Sequence, residues 1–438
     1  MRDGGKIDAA IRVLDDVLTR HQPVKSAVKD WGKRARYAGS RDRAWVSGLV
    51  LDSLRKKLSL AHAMGEDTPR ALVLGALAHV WRWDIMRIDS AFDEEHAPSA
   101  LTLDEREKLV MAPDPTAPRH VQGDYPEWMT PMLERVFGEN DVIETQAMAV
   151  RAPVDLRVNT LKADPEKADK ALRTVGAKPS KLLKNGFRVD APDPTQRAGS
   201  VESIPAYSKG WVEVQDLGSQ IAAAAANAQP GEQVLDYCAG GGGKSLALAA
   251  AMENKGQIYA YDIDGRRLSA IIPRLKRAGA RNIQLRHPQE DLGLDDLQHA
   301  MDLVIIDAPC TGVGTWRRRP DAKWRLSEKN LLMRREQQTE ILHTACNFVK
   351  PGGRLLYITC SFLMEENEDQ VSAFLSDRKD FEAEDAAQSA CASGLLTEQG
   401  DALVTKCKGL NGTVRLTPHL AETDGFFMAL LRRKTETD

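Results

Sequence analysis

From Gln233 onward the chain alternates short apolar runs with segments of helical spacing, and this rhythm restricts the fold more than any other feature. The runs are 234–237, 258–261, 283–285, 303–306, 355–359 and 426–431, with helices expected near 244–253, 264–277, 327–348 and 365–376. Alternation on that scale indicates an α/β domain, a doubly wound and mostly parallel sheet of Rossmann-like type. Such sheets receive ligands outside the carboxyl ends of their strands. The loops that follow strands are therefore where reactive residues should be sought.

At 438 residues the chain exceeds one ordinary domain. Helical spacing runs through roughly the first 90 residues, then prolines at 98, 113, 115 and 118 mark a loop-like stretch. Residues 126–150 read as two further helices, and VDLRV at 154–158 opens a mixed segment of short strands and one helix. The expected division is 1–125 helical, 126–213 a small α+β module, and 214–438 the doubly wound domain. The charged N-terminus lacks an apolar signal core, and stretches such as 71–80 fall short of the ~20 residues that span a bilayer. A cytoplasmic protein with no membrane partner is expected. Six cysteines without a C-x-x-C pair suggest neither a disulfide framework nor a metal site. Net charge is −3, yet residues 25–57 carry ten Lys/Arg against three Asp/Glu, and residues 307–335 carry eight against three. A basic stretch is more often a solvated helix face than a binding surface, and two separate patches shift the reading modestly toward a polyanionic partner.

VLDYCAGGGGKSLALAA sets four glycines between the first strand and its helix. Removing side chains there lets a ligand approach the backbone. A dinucleotide, a nucleoside triphosphate and S-adenosylmethionine all suit such a loop. Gly243-Lys244-Ser245 ends like a phosphate loop, but the first glycine of that pattern falls on Cys238. Asp262 stands at the end of the second strand, at the ~20-residue offset where an acid accepts ribose hydroxyls.

In LVIIDAPCTG, Asp307 ends a strand and Cys310 follows it; Cys360 ends the next strand in LLYITCS. Parallel neighbours bring both thiols to one sheet edge, near the glycine loop. A lone buried cysteine is usually inert, but two beside a carboxylate suit covalent chemistry. Carbon 5 of a pyrimidine is a poor nucleophile until a thiolate adds to carbon 6. A carboxylic acid can share the developing charge, and a second group must then remove the carbon-5 proton so that the thiol can leave.

Asp307-Ala308-Pro309-Cys310-Thr311-Gly312, Arg319-Pro320-Asp321 with Trp324, and Thr359-Cys360-Ser361 together resemble the RsmB/NSUN family of RNA cytosine-5 methyltransferases, in its bacterial ribosomal branch. Asp236-x-Cys238-Ala239 through Gly242-Gly243-Lys244, Val214-Gln215-Asp216-x-x-Ser219, LTPH at 416–419 and Asp424-Gly425-Phe426-Phe427 extend the likeness over about 150–433. The resemblance implies that Cys360 is the nucleophile and that Cys310 assists proton removal and product release. It implies that Asp307 and Lys244 hold the cytosine. Cys238, Ala239, Gly240, Gly241, Gly242, Gly243, Lys244, Asp262, Arg267 and Asp307 would bind S-adenosylmethionine, with no metal. Arg317, Arg318, Arg319, Lys323 and Arg325 would grip RNA phosphates beside the flipped base, while Trp316 or Trp324 would either stack on it or, the favoured reading, pack. The module ending at 213 resembles an RNA-binding unit, and the first 90 residues resemble a NusB-like extension. Two departures stand out. Gly240-Gly241 replaces the family's Ala-Pro, and the acid expected after the third strand is either Glu290 or Asp291. The expected substrate is ribosomal RNA, with transfer RNA as the alternative, acted on by a monomer. A phosphate-loop NTPase and a non-catalytic RNA-binding protein are the readings from other classes.

Overall fold

The computed structural model describes residues 1–112, 114–191, 193, 201–288 and 293–435, which form two compact units. One comprises Met1–Arg151 together with Trp316–Leu326. It is helical, beginning with Asp3–Arg20, Val24–Arg34 and Ser40–Arg55, and the helices Thr130–Phe137 and Asp141–Met148 belong to it. The apolar stripe of the first and third helices buries Ile7, Leu14, Leu49 and Leu54 completely. Ile7 and Leu14 are two helical turns apart on one face of the first helix, and with Leu49 and Leu54 of the third they belong to a single apolar core. Beneath them, the Trp45 and Trp81 rings meet edge to face at 4.8 Å. The Trp81 indole donates to the buried Asp52 carboxylate at 2.8 Å, and Arg55 and Arg151 pair with the same carboxylate at 2.6 Å each.

The second unit holds two sheets. The smaller one is antiparallel and consists of β1 (Val154–Val158), β2 (Lys178–Pro179), β3 (Gly186–Val189) and β4 (Val212–Val214) in the order β2-β3-β1-β4. The larger one holds β5 (Gln233–Asp236), β6 (Gln257–Tyr261), β7 (Ile283–Arg286), β8 (Met301–Asp307), β9 (Val349–Thr359), β10 (Phe381–Glu384), β11 (Val414–Leu416) and β12 (Phe426–Arg433). Its order is β10-β12-β9-β8-β5-β6-β7, with β11 paired to β12. Strands β5 to β9 pair in parallel, and β12 runs antiparallel between β9 and β10. This is the doubly wound, Rossmann-like architecture that the alternation implied. β5 is central, with β6 on one side and β8 on the other, so the strand order reverses beside it and opens a crevice at its carboxyl end.

Three details differ from the expectation. The helix expected at 264–277 is two helices, Gly265–Ser269 and Ile272–Ala278, because Pro273 supplies no N–H to the preceding turn. β9 starts at Val349 rather than 355, and a register irregularity against β8 lets it pass through Pro351-Gly352-Gly353 with Gly352 at φ +75°. β10 was not anticipated: its FEAE text is half charged and it sits at the sheet edge. Among the described residues no helix is long and apolar enough to cross a membrane, and no group of three or more His, Cys, Asp or Glu could hold a metal.

Candidate active site

The crevice beside β5 contains a cavity of about 210 Å³, lined by the 238–241 loop, Lys244, Asp236, Asp307 and Arg267. A larger hollow of about 350 Å³ in the helical unit is lined by Asp8, Arg12, Asp16 and Arg34, which neutralise one another in ion pairs and bring no nucleophile. The cavity at β5 is therefore the candidate.

Its floor is backbone. Gly242 stands at φ +77°, and a Cβ there would meet Ile271 Cδ1 at 2.0 Å, so only glycine fits. Gly240 also occupies the left-handed region, at φ +52°. Asp262 braces the 238–241 loop. It is 4% exposed, its Oδ2 accepts the Gly240 N–H and its Oδ1 accepts the Asp264 N–H, both at 2.8 Å. Each carboxylate oxygen retains a second lone pair, which is what two ribose hydroxyls require. Arg267 Nη1 lies 4.0 Å from the same carboxylate. Burial among Asp236, Asp307 and Asp262 pushes the Cys238 thiol well above its ordinary range, which makes it an inert wall rather than a nucleophile. The alternatives for the third acid, Glu290 and Asp291, lie outside the described residues.

Asp236 at the end of β5 is fully buried. Its Oδ2 accepts the Ser245 hydroxyl at 2.6 Å, while Oδ1 has no hydrogen-bond partner and the residue lines the cavity. An orphaned buried acceptor beside a glycine cradle fits a cationic, nucleoside-bearing donor. Burial, opposed by the Ser245 bond and reinforced by the Asp307 charge, raises this carboxyl to about 7. Because the folded state binds the proton more tightly than the unfolded chain, the associated stability is complete below about pH 4. It is lost as pH rises through 7. We expect Asp236→Asn to flatten the fall in stability between those limits, worth a few kcal/mol, in urea titrations across pH. An unchanged slope would mean that the carboxyl is ionised throughout.

Asp307, at the end of β8, also lines the cavity, and β9 is the parallel neighbour of β8. Their register sets Asp307 against Ile358, so the residues that follow emerge together at the sheet edge. Cys310 and Cys360 face each other with their sulfurs 3.3 Å apart. The Cys360 bond and burial push the Cys310 thiol well above its usual range. Lys244, only 5% exposed, donates to Asp307 Oδ2 at 2.6 Å and lies 5.4 Å from the centre of the Phe426 ring. The turn after β9 is braced by Asn367, whose Oδ1 accepts the Thr359 hydroxyl at 2.6 Å and whose amide donates to Ser361 O at 3.0 Å. Gly314 donates its N–H to Cys360 O at 3.0 Å and lies so close to Gly425 that a Cβ would come within 2.3 Å of the Gly425 carbonyl oxygen.

Sequence reasoning missed Glu366 and Gln338. Glu366 is fully buried and accepts from the Thr311 N–H at 2.8 Å and the Thr311 hydroxyl at 2.5 Å. Gln338 donates to Pro309 O at 3.0 Å and to Glu366 Oε1 at 3.1 Å. Glu366 sits in a run with nine acids against two bases over 365–385. Nothing in that text separates a buried carboxylate from its solvated neighbours.

The basic segment requires a correction. Of the five residues expected to grip phosphates, Arg317 and Lys323 are buried in the helical unit, at 5% and 2% exposure. Lys323 donates to Arg55 O at 3.2 Å and stands 4.8 Å from the Trp324 ring centre. Burial, opposed by the Asp124 charge, lowers its ammonium to about 7. Arg325 pairs with Asp321 at 2.6 Å and is half-buried, as is Arg318, while Arg319 is exposed. Trp316 is buried and the Trp324 indole donates to Leu54 O at 2.7 Å, so both tryptophans pack.

A glycine cradle after the first strand, an acid after the second and a polar, thiol-bearing edge after the fourth and fifth together define a class I methyltransferase site. Residues 223–432 match the family model described as 16S rRNA methyltransferase RsmB/F. The chain is 30% identical over 318 residues to the probable ribosomal RNA small subunit methyltransferase B of Synechocystis sp., covering 71% of this chain and 67% of that protein. The alignment thus spans about two thirds of the relative's length. A methyltransferase homolog protein from Pyrococcus horikoshii has a solved structure with a TM-score of 0.58 at 29% identity, covering 72% of this chain and 97% of that one. The crystal structure of PH0851 matches over 98% of both chains, with a TM-score of 0.70 and 25% identity. The chain belongs to the RsmB/F family and is an S-adenosylmethionine-dependent RNA methyltransferase.

Proposed function

We propose that this enzyme methylates carbon 5 of a cytosine in small-subunit ribosomal RNA through a covalent cysteine–RNA intermediate. The observation that carries the reading is the pair of thiols 3.3 Å apart, just past the ends of β8 and β9, on the sheet edge that also carries the Lys244–Asp307 pair. The target base must leave its stack to reach such an edge. Cys360 adds through sulfur to carbon 6, and the electron pair of the 5,6 double bond moves to carbon 5. Asp307, held by Lys244, binds the pyrimidine edge, and the Lys244 ammonium offsets the negative charge that develops on the ring. S-adenosylmethionine, when bound, supplies an electrophilic methyl group for that carbon. Cys310 then assists removal of the carbon-5 proton. The electron pair of that C–H bond re-forms the double bond, and the Cys360 sulfur departs. The names of the relatives support ribosomal RNA over transfer RNA. The resemblance assigns RNA contact to the small α+β module, where Lys167 and Lys209 lie 4.3 Å and 5.0 Å from the Trp211 ring centre.

Bisulfite sequencing of total RNA from cells with and without the gene tests the proposal. A small-subunit cytosine protected only when the gene is present is the expected result; protection confined to transfer RNA, or none, overturns it. The donor half of the reading has its own check. Asp262→Ala should weaken S-adenosylmethionine binding by roughly ten- to a hundredfold, the loss of hydrogen bonds to a charged acceptor, while RNA affinity holds. Calorimetry showing undiminished donor affinity would remove Asp262 from the site.

A further inference from the structure

Glu366 has no part in the donor cavity, yet it brackets Cys310. Its carboxylate accepts both donors of Thr311, the residue after Cys310. Gln338 joins that carboxylate to the carbonyl of Pro309, the residue before Cys310. The three donors bonded to the carboxylate are a backbone amide, a hydroxyl and a side-chain amide, and all are neutral. A glutamine would satisfy them equally well, its oxygen accepting two bonds and its amide meeting the Thr311 hydroxyl. Anchoring the loop therefore does not explain why a full negative charge is buried there.

The charge acts on the thiols. Cys310 and Cys360 share a hydrogen bond, so when base in solution removes one proton, one sulfur becomes anionic and the other keeps its proton and donates it. A carboxylate bonded to the neighbour of Cys310 disfavours a second negative charge there. The ionisable groups that face Cys310 are Cys360, Glu366 and Tyr357. Tyr357 is fully buried, donates its hydroxyl to Glu366 O at 2.7 Å, and is held well above its usual range by burial, so it stays neutral. We propose that Glu366 is a positioning residue whose charge keeps the shared proton on Cys310 and so makes Cys360 the attacking sulfur. The proposal rests on the covalent mechanism above, but its test needs no RNA.

Full-length protein is alkylated with iodoacetamide over a pH series, and the modified fraction of each cysteine is read by mass spectrometry. A new S–C bond forms as iodide leaves, so the rate reports the thiolate at each site. In the wild type Cys360 should be labelled first. Glu366→Gln, which removes the charge and keeps the hydrogen bonds, should lower the preference for Cys360 over Cys310 by about tenfold, the effect of one unit charge a few ångströms from a thiol. Thr311→Val, which loses a donor but keeps the charge, should retain the preference. Equal S-adenosylmethionine affinity in all three proteins shows that the variants are folded. The proposal is overturned if Glu366→Gln keeps the wild-type preference, or if Thr311→Val loses it to the same extent. Should Glu366→Gln not fold, the wild type still decides, since faster labelling of Cys310 contradicts the assignment. A failure of the cytosine reading would appear separately, as an unchanged bisulfite pattern with the thiol preference intact.

Discussion

Incubated with substrate RNA and S-adenosylmethionine, the Cys310→Ala protein should run on a denaturing gel as a slow-migrating adduct, whereas Cys360→Ala should form no adduct and transfer no methyl group. The two thiols touch at 3.3 Å, so proximity alone does not separate their roles. The separation comes from the order of bond changes. Without the Cys360 sulfur no bond to carbon 6 forms, carbon 5 stays a poor nucleophile, and activity falls to background. Without Cys310 the attack and methyl transfer proceed, but the carbon-5 proton is not taken. The thioether to Cys360 then persists through denaturation. An adduct from Cys360→Ala alone would exchange the two roles. Full activity in both variants, with no adduct from either, would end the covalent mechanism.

The second large effect is expected at Asp307. Lys244 is 5% exposed and its ammonium is paired with Asp307 at 2.6 Å. Asp307→Ala leaves a buried cation without its counter-charge, which costs roughly 3 kcal/mol of stability, the low end of the range because Asp307 itself is partly open to solvent. Methyl transfer should disappear as well, since no carboxyl remains to hold the pyrimidine edge beside Lys244. The double variant Lys244→Met/Asp307→Leu separates these losses. It should regain most of the stability, because an apolar pair of similar volume replaces the ion pair, and it should stay inactive. Urea unfolding and a methyl-transfer assay on the same preparations give both readings. If Asp307→Ala unfolds at the wild-type urea concentration, the pair is not what holds Lys244.

The strands that carry the site were legible because a strand covered on both faces must be apolar throughout, and 303–306 or 355–359 can be read as little else. Asp307, Cys310 and Cys360 were legible for the same reason: polar residues that interrupt such runs at their carboxyl ends stand out. Glu366 and Gln338 were not, because their importance lies in which backbone groups they reach, and 28 residues of chain separate the two. β10 was hidden by edge charges, and the break at Pro273 was lost in an otherwise continuous helical pattern. Arg317 and Lys323 were misjudged because charge in a sequence suggests solvent, whereas here a carbonyl, a carboxylate and two indole rings surround the ammonium of Lys323.

That enclosure of Lys323 has a consequence for biosynthesis. Residues 316–326 complete a helical unit most of whose other residues precede Ala152, so its final piece is made long after those have left the ribosome. At ~5–20 residues per second the wait is roughly ten to thirty seconds. Throughout that interval the Leu54 and Arg55 carbonyls lack the Trp324 and Lys323 donors that later meet them, and the Asp124 carboxylate lacks one of its two facing ammonium groups. The nascent helices must therefore remain hydrated at that spot, open to water, until the fifth-strand half of the chain is nearly ready to emerge.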